Sequence, residues 1–145
     1  MTTKQGLPGS TRQIIASNGI DIHVVTMGNG PAILLLHGWP HTWEIWRTVM
    51  PLLAVNHTVI APDLRGLGGT TRAAKGYDLH TLADDANGVL DSLGIEAATV
   101  VGTATAGQLR PICEDLQEIA ITGCAHLVPL EQPFTLAAAI GAFVV

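Results

Sequence analysis

The side chains able to do chemistry in this 145-residue chain gather in four polar turns. The first is His37-Gly38-Trp39-Pro40, which follows the uncharged apolar run Ala32–Leu36. Such a run reads as a strand buried on both faces, as in a parallel sheet covered by helices. Gly38 can take backbone angles closed to other residues, and Pro40 fixes its own φ and restrains Trp39. A rigid turn at the carboxyl end of a buried strand is where α/β sheets place their sites. The same four residues are also what a plain tight strand-to-helix turn requires. Asp63 ends the next apolar run near the same rim, where it serves a turn or an ion pair with Arg65, or orients a histidine. Thr103 and Thr105 follow a third run. Their hydroxyls are poor nucleophiles without an adjacent base. The fourth turn, Gly123–Pro133, holds His126, whose imidazole titrates where a general base is useful. Cys113 with His126 as base is a further thiol–imidazole arrangement. Cys113 and Cys124 otherwise have no metal-ligand spacing and read as small buried hydrophobes.

The elements that carry these turns follow from period and punctuation. Arg12–Ser17 and Ile20–Met27 flank Asn18-Gly19, a short hairpin signal of high specificity. Gly28-Asn-Gly30 turns the chain into Ala32–Leu36. Trp43, Trp46, Val49, Met50 and Leu53 have helical spacing, with Thr42 as N-cap. Glu44 and Glu131 read as carboxylates at helix N-termini, favoured there by the dipole. Thr58–Ala61 is a strand. Leu67–Arg72 is glycine-rich but lacks the lysine or glycine pattern of a phosphate cradle. Asp78–Leu93 is a helix with Asp78 as N-cap, an apolar stripe through Leu82, Ala86, Val89 and Leu93, and Gly94 as its stop. Ala98–Val101 is the next buried strand. Gly107–Leu116 reads as a short helix, Glu118–Thr122 as a strand and Phe134–Val144 as a final helix.

Composition sets limits. The length fits one domain, here residues 1–145, with a sizeable core. Hydrophobic residues make up 48% and charged residues 13%, so either little surface is exposed or a partner covers some of it. A net charge of −5 argues against a nucleic-acid surface. No apolar run reaches membrane-spanning length, and the first residues lack an apolar signal core. A cytoplasmic protein with free thiols is expected, with no cofactor and no metal.

Taken together, HGWPHTWEIW followed by APDLRGLGGT resembles the α/β-hydrolase superfamily, and specifically its epoxide-hydrolase-like branch. The resemblance implies that the Trp39 backbone N–H is an oxyanion-hole donor, in the loop after the third strand. It makes His37, Gly38, Pro40 and Trp43 the substrate-binding positions, although His37 also reads as packing behind the turn, and Trp39, Trp43 and Trp46 are spaced like core aromatics. It places His126 in the catalytic-histidine loop, with Asp63 the nearest carboxylate able to orient it. In that family the strand at Ala98–Val101 ends in a nucleophile elbow, with serine in esterases and aspartate in epoxide hydrolases and dehalogenases. Here Gly102-Thr-Ala-Thr-Ala-Gly107 puts Ala104 in that place, leaving Thr103 as a weak substitute. Tyr77 is the single tyrosine, so the family's pair of epoxide-polarising tyrosines is impossible. The chain thus resembles the front and back of such a protein, without the elbow, lid and acid.

The expected architecture is a compact, truncated α/β-hydrolase fold. It has a mostly parallel sheet in the order 1-2-4-3-5-6, helices on both faces and an N-terminal hairpin. Residues Thr103–Gln117 are just long enough for a crossover placing Glu118–Thr122 beside Ala98–Val101. Alternatively that edge pairs with a second chain, since open edges invite association. Two functions remain. One is a reduced hydrolase of small ester or epoxide-type molecules. The other is a non-catalytic relative that binds an apolar small molecule or a protein partner. A homodimer is expected, because the chain is apolar and elements that would cover it are missing.

Overall fold

The computed structural model of the chain describes residues 6–103, 117, 119, 121–123 and 127–144. Two strands, β1 (Ser10–Ser17) and β2 (Ile20–Met27), form an antiparallel hairpin in which Ser17 faces Ile20. Asn18 and Gly19 close it at φ 48° and 77°. Two positive φ values define the turn whose twist matches that of the flanking strands, which is why Asn-Gly signals it. The chain continues through β3 (Ala32–Leu36), β4 (Thr58–Pro62) and β5 (Ala98–Gly102). The sheet order is β1-β2-β4-β3-β5. Strands β4, β3 and β5 are parallel, and β2 joins β4 antiparallel. The three parallel strands end at one rim, so His37, Asp63 and Thr103, each the residue after its strand, come to the same edge.

Both faces of this sheet are covered. Successive side chains of a strand point to opposite faces. Ile33 and Leu35, with Val25, Val59 and Ala61, pack under Trp43, Trp46, Val49, Met50 and Leu53. Leu34, with Val24 and Ile60, packs under Ala86 and Val89. The second cover is α2 (Leu79–Ser92), whose N-cap Asp78 accepts from the Thr81 N–H at 3.0 Å. That bond holds the exposed Asp78 carboxyl below its usual range. The first cover is not the single helix expected over Trp43–Leu53. Trp43–Trp46 is a 3-10 helix, capped by Thr42, and α1 runs over Val49–Leu53. Pro51 is the reason. It has no N–H and its ring collides with the carbonyl four residues back, so it is tolerated only in a first turn. Restarting the helix at Val49 puts it there.

Two short helices close the described chain, α3 (Val128–Glu131) and α4 (Pro133–Phe143). α4 packs on α1, with Ile140 buried in the first core. The expected strand Glu118–Thr122 is not seen as such. Ile119, Ile121 and Thr122 lie in no strand, and Glu118 and Ala120 are outside the described residues. Among the described residues β5 therefore ends the sheet. The expected helix Gly107–Leu116 and the positions Ala104, Thr105, Cys113, Cys124 and His126 also lie outside the described residues.

Candidate active site

The rim where the parallel strands end is built around Asp63. Its side chain is 2% exposed, yet each oxygen is satisfied. Oδ1 accepts from the Trp43 N–H at 2.8 Å. Oδ2 accepts from the Gly69 N–H at 3.0 Å and faces His23 Nδ1 at 2.8 Å. A buried carboxylate persists only with such partners. The arrangement leaves no room for a side chain at residue 68: Gly68 has φ +53°, and a Cβ there would run into the Asp63 carboxylate. The Asp63 N–H donates to the His23 carbonyl at 2.8 Å, and the Thr70 hydroxyl donates to the Asp63 carbonyl at 2.6 Å. Asp63 thus joins β2, the 3-10 helix and the glycine-rich loop.

Arg65 is not the partner of Asp63. Its guanidinium makes a two-pronged pair with Asp85 on α2, Nε to Oδ2 at 2.8 Å and Nη2 to Oδ1 at 2.7 Å. Both residues are buried, and the Asp85 hydrogen bonds raise the Arg65 pKa further, so this guanidinium stays charged. Asn18 Nδ2 also donates to Asp85 Oδ1 at 2.8 Å, and the Ser17 hydroxyl donates to the Asp85 carbonyl at 3.2 Å. The glycine-rich loop and α2 are clamped to the hairpin in this way.

His37 is 2% exposed. The Leu64 N–H donates to its Nε2 at 2.9 Å, so the proton of the neutral ring sits on Nδ1. Nδ1–H donates to the Gly38 carbonyl at 3.0 Å. Burial pushes this imidazole below its ordinary value; the Gly38 carbonyl and the Asp63 charge oppose that, and nearby His41 adds to it. Trp39 stands 82% exposed at the tip of the turn, and the Trp39–Pro40 peptide is cis. Among the described residues no group accepts the Trp39 N–H. The Thr103 N–H donates to the Leu36 carbonyl at 3.3 Å, and a Cβ on Gly38 would lie 3.4 Å from Thr103 Oγ1.

The structure therefore brings His37, Gly38, Trp39, Asp63 and Thr103 to one rim. It places Trp43 differently. Trp43 is a core residue, 3% exposed, with the guanidiniums of Arg12 and Arg47 over its ring at 5.1 and 5.8 Å from the centroid. Its backbone, not its indole, meets the rim. His126 lies outside the described residues. His23 and Leu64 were not singled out from the sequence. The structure supplies the reason for His23: extending the β2–β4 register, Val24 opposite Pro62, by one residue sets it against Asp63. No group of histidine, cysteine, aspartate and glutamate able to hold a metal occurs among the described residues.

A mixed sheet covered on both faces, whose three parallel strands end at one rim with a polar turn after the third strand, is the arrangement of an α/β-hydrolase core. The chain belongs to that family: its model, described as alpha/beta hydrolase fold, matches residues 31–109, more than half of the chain. The match includes His37–Pro40, Asp63 and Thr103, and stops short of His126. Within the family the likeness is to epoxide hydrolases. The soluble epoxide hydrolase of Corynebacterium sp. is 47% identical over 85 residues, which are 59% of this chain and 30% of that protein. Epoxide hydrolase B of Mycobacterium tuberculosis is 35% identical over 136 residues, 89% of this chain and 37% of that one. The solved structure of the epoxide hydrolase CorEH superposes with a TM-score of 0.63 at 44% identity, over 64% of this chain and 33% of its own. The chain spans about a third of the length of these relatives. Among the described residues no helix is long and apolar enough to cross a membrane.

Proposed function

We propose that this chain carries the oxyanion side of a reduced hydrolase site, acting weakly on a small apolar ester or epoxide-type molecule. The observation that carries this is the unclaimed Trp39 N–H at the rim, aimed from a turn fixed by buried partners. A preorganised donor stabilises charge that develops on a carbonyl oxygen without rearranging during the reaction. The relatives named as epoxide hydrolases support a small-molecule substrate. His126 is the base in this reading, on the strength of its sequence position. Asp63 has its oxygens committed to Trp43, Gly69 and His23, so it supports the turn and at most acts on a histidine at a distance.

Water attacks directly in this scheme, because Ala104 offers no atom for a covalent ester. An oxyanion hole and binding alone leave about a thousandfold acceleration over water, and a histidine base adds about a hundredfold. The test follows hydrolysis of an activated aryl ester by the wild type and His126→Ala from about pH 5 to 8, where histidine titrates. The expected wild-type rate rises through one step and falls by most of its value in the variant, while Thr103→Ala costs little. Equal rates in the two proteins end this reading. Ala104 then favours the second one, a non-catalytic relative that binds an apolar small molecule or a protein partner.

The protein is proposed to act in the cytoplasm as a homodimer. Support for the dimer comes from Leu130 and Phe134, 50% and 71% exposed on the α3–α4 surface. Monomer mass by light scattering at high concentration would remove the dimer from the proposal.

A further inference from the structure

The Gly38 carbonyl and the Trp39 N–H belong to one peptide unit. That unit is planar, and its C=O and N–H point in opposite directions when the peptide is trans. Among the described residues the cis peptide is Trp39–Pro40, so Gly38–Trp39 is trans. Whatever holds the Gly38 oxygen therefore aims the Trp39 N–H. Two donors hold it: the His41 N–H at 2.9 Å and His37 Nδ1–H at 3.0 Å. The first is local to the turn. The second reaches beyond it, because the other nitrogen of the same ring takes the Leu64 N–H at 2.9 Å. Leu64 follows Asp63, and Asp63 holds the far end of the loop through the Trp43 N–H. Both ends of Gly38–Thr42 are thus tied to one dipeptide, which is itself anchored to β2 through His23.

We propose that His37 is a positioning residue for the oxyanion donor, fixing the direction of the Trp39 N–H through the peptide they share with Gly38, with Asp63 as the second tie. This rests on reading Trp39 as that donor. The imidazole must be neutral and carry its proton on Nδ1. A proton on Nε2 would face the Leu64 N–H donor to donor, and the ring would have to leave one of its two partners. The tie then fails as the pH falls. Three other titratable groups face this ring and must be separated from it: Asp63, whose Oδ1 lies 3.9 Å from Nε2, His41 in the turn, and His23 across Asp63.

The test uses the full chain with 15N-labelled tryptophan and histidine in a His41→Gln background; the first label gives three backbone amides, Trp39, Trp43 and Trp46, and the second reports the ring nitrogens of His37 and His23. The Trp39 amide is expected to shift with the same apparent pKa as the His37 ring nitrogens, while the Trp46 amide stays still. A Trp39 amide that ignores His37 titration, or one that follows His23 instead, overturns the proposal. This readout needs no turnover, so it stands apart from any failure of the hydrolase reading. Where ester turnover is measurable, His37→Leu should lower kcat by about ten- to a hundredfold with KM little changed. His37→Gln, whose amide oxygen can accept from Leu64, should recover part of it. If His37→Leu unfolds, the amide titration of the otherwise unaltered chain still decides. Equal kcat in a folded His37→Leu also overturns the proposal.

Discussion

Removing Asp85 should destabilise the chain more than any single change at the rim. Arg65 is 8% exposed and Asp85 5%, and the pair is joined by two hydrogen bonds of 2.8 and 2.7 Å. The two-pronged geometry offsets the desolvation of both ions only while both are present. Asp85→Ala leaves a buried guanidinium whose remaining partners are the Lys75 carbonyl at 3.4 Å and the Asn18 carbonyl at 3.5 Å, both long. Breaking one side of a buried pair costs about 3–5 kcal/mol, against a total stability of about 5–15 kcal/mol for a domain. At a urea slope of about 2 kcal/mol per M, the midpoint should fall by about 1.5–2.5 M. Urea titration read by the fluorescence of Trp43 and Trp46, both in the core, measures it. The double change Arg65→Met with Asp85→Leu tests the cause. Replacing a buried ion pair by apolar groups of similar volume is often neutral, so most of the loss should return. A single variant within about 1 kcal/mol of the wild type refutes the reasoning. So does a double variant as unstable as the two singles summed, which would point to packing rather than unpaired charge.

Three further outcomes are expected. Gly68→Ala should destabilise by about 2 kcal/mol or more, through its left-handed backbone and the collision with Asp63, whereas Gly94→Ala, at φ +69° with open space around it, should show only the backbone part of about 1 kcal/mol; paired urea titrations give the difference. Stability should be greatest above about pH 6.5 and decline as pH falls below it, because the unfolded chain takes up a proton that buried His37 resists; melting at about pH 7.5 and 5.5 checks the sign, and His37→Gln should flatten the dependence. Incubation with an epoxide or a haloalkane should leave no covalent adduct on residues 102–107, and mass spectrometry that finds one there removes the direct-water scheme.

The sequence was most readable where local chemistry decides the outcome. Asn18-Gly19 needs two positive φ values and obtains them, and Asp78 caps α2. The apolar runs Ala32–Leu36 and Thr58–Pro62 are strands because both faces of the sheet are covered. Local reading also failed for a local reason: helical spacing across Trp43–Leu53 outweighed Pro51, whose missing N–H splits that helix. The rim was readable as a place but not as a mechanism. That His37, Asp63 and Thr103 meet follows from three parallel strands ending together. What each one holds depends on partners far along the chain: 27 residues from His37 to Leu64, 40 from His23 to Asp63, and 20 from Arg65 to Asp85. Residue types do not reveal such partners. A short sequence separation misled in the case of Asp63 and Arg65, which sit two apart and turn to different partners.

That separation of roles bears on which part of the site is durable. The turn at Gly38–Trp39 depends on buried groups, His37 and Asp63, that also knit β2, β3, β4 and the glycine-rich loop together. Losing either one costs stability as well as geometry, so in this chain the turn is held by the needs of the fold whether or not it acts on a substrate. Ala104 is a matter of chemistry alone, because alanine has no reactive atom to offer. Retention of His-Gly-Trp-Pro alone is therefore weak evidence for activity, and the His126→Ala comparison, rather than the geometry of the turn, distinguishes a slow hydrolase from a binding protein.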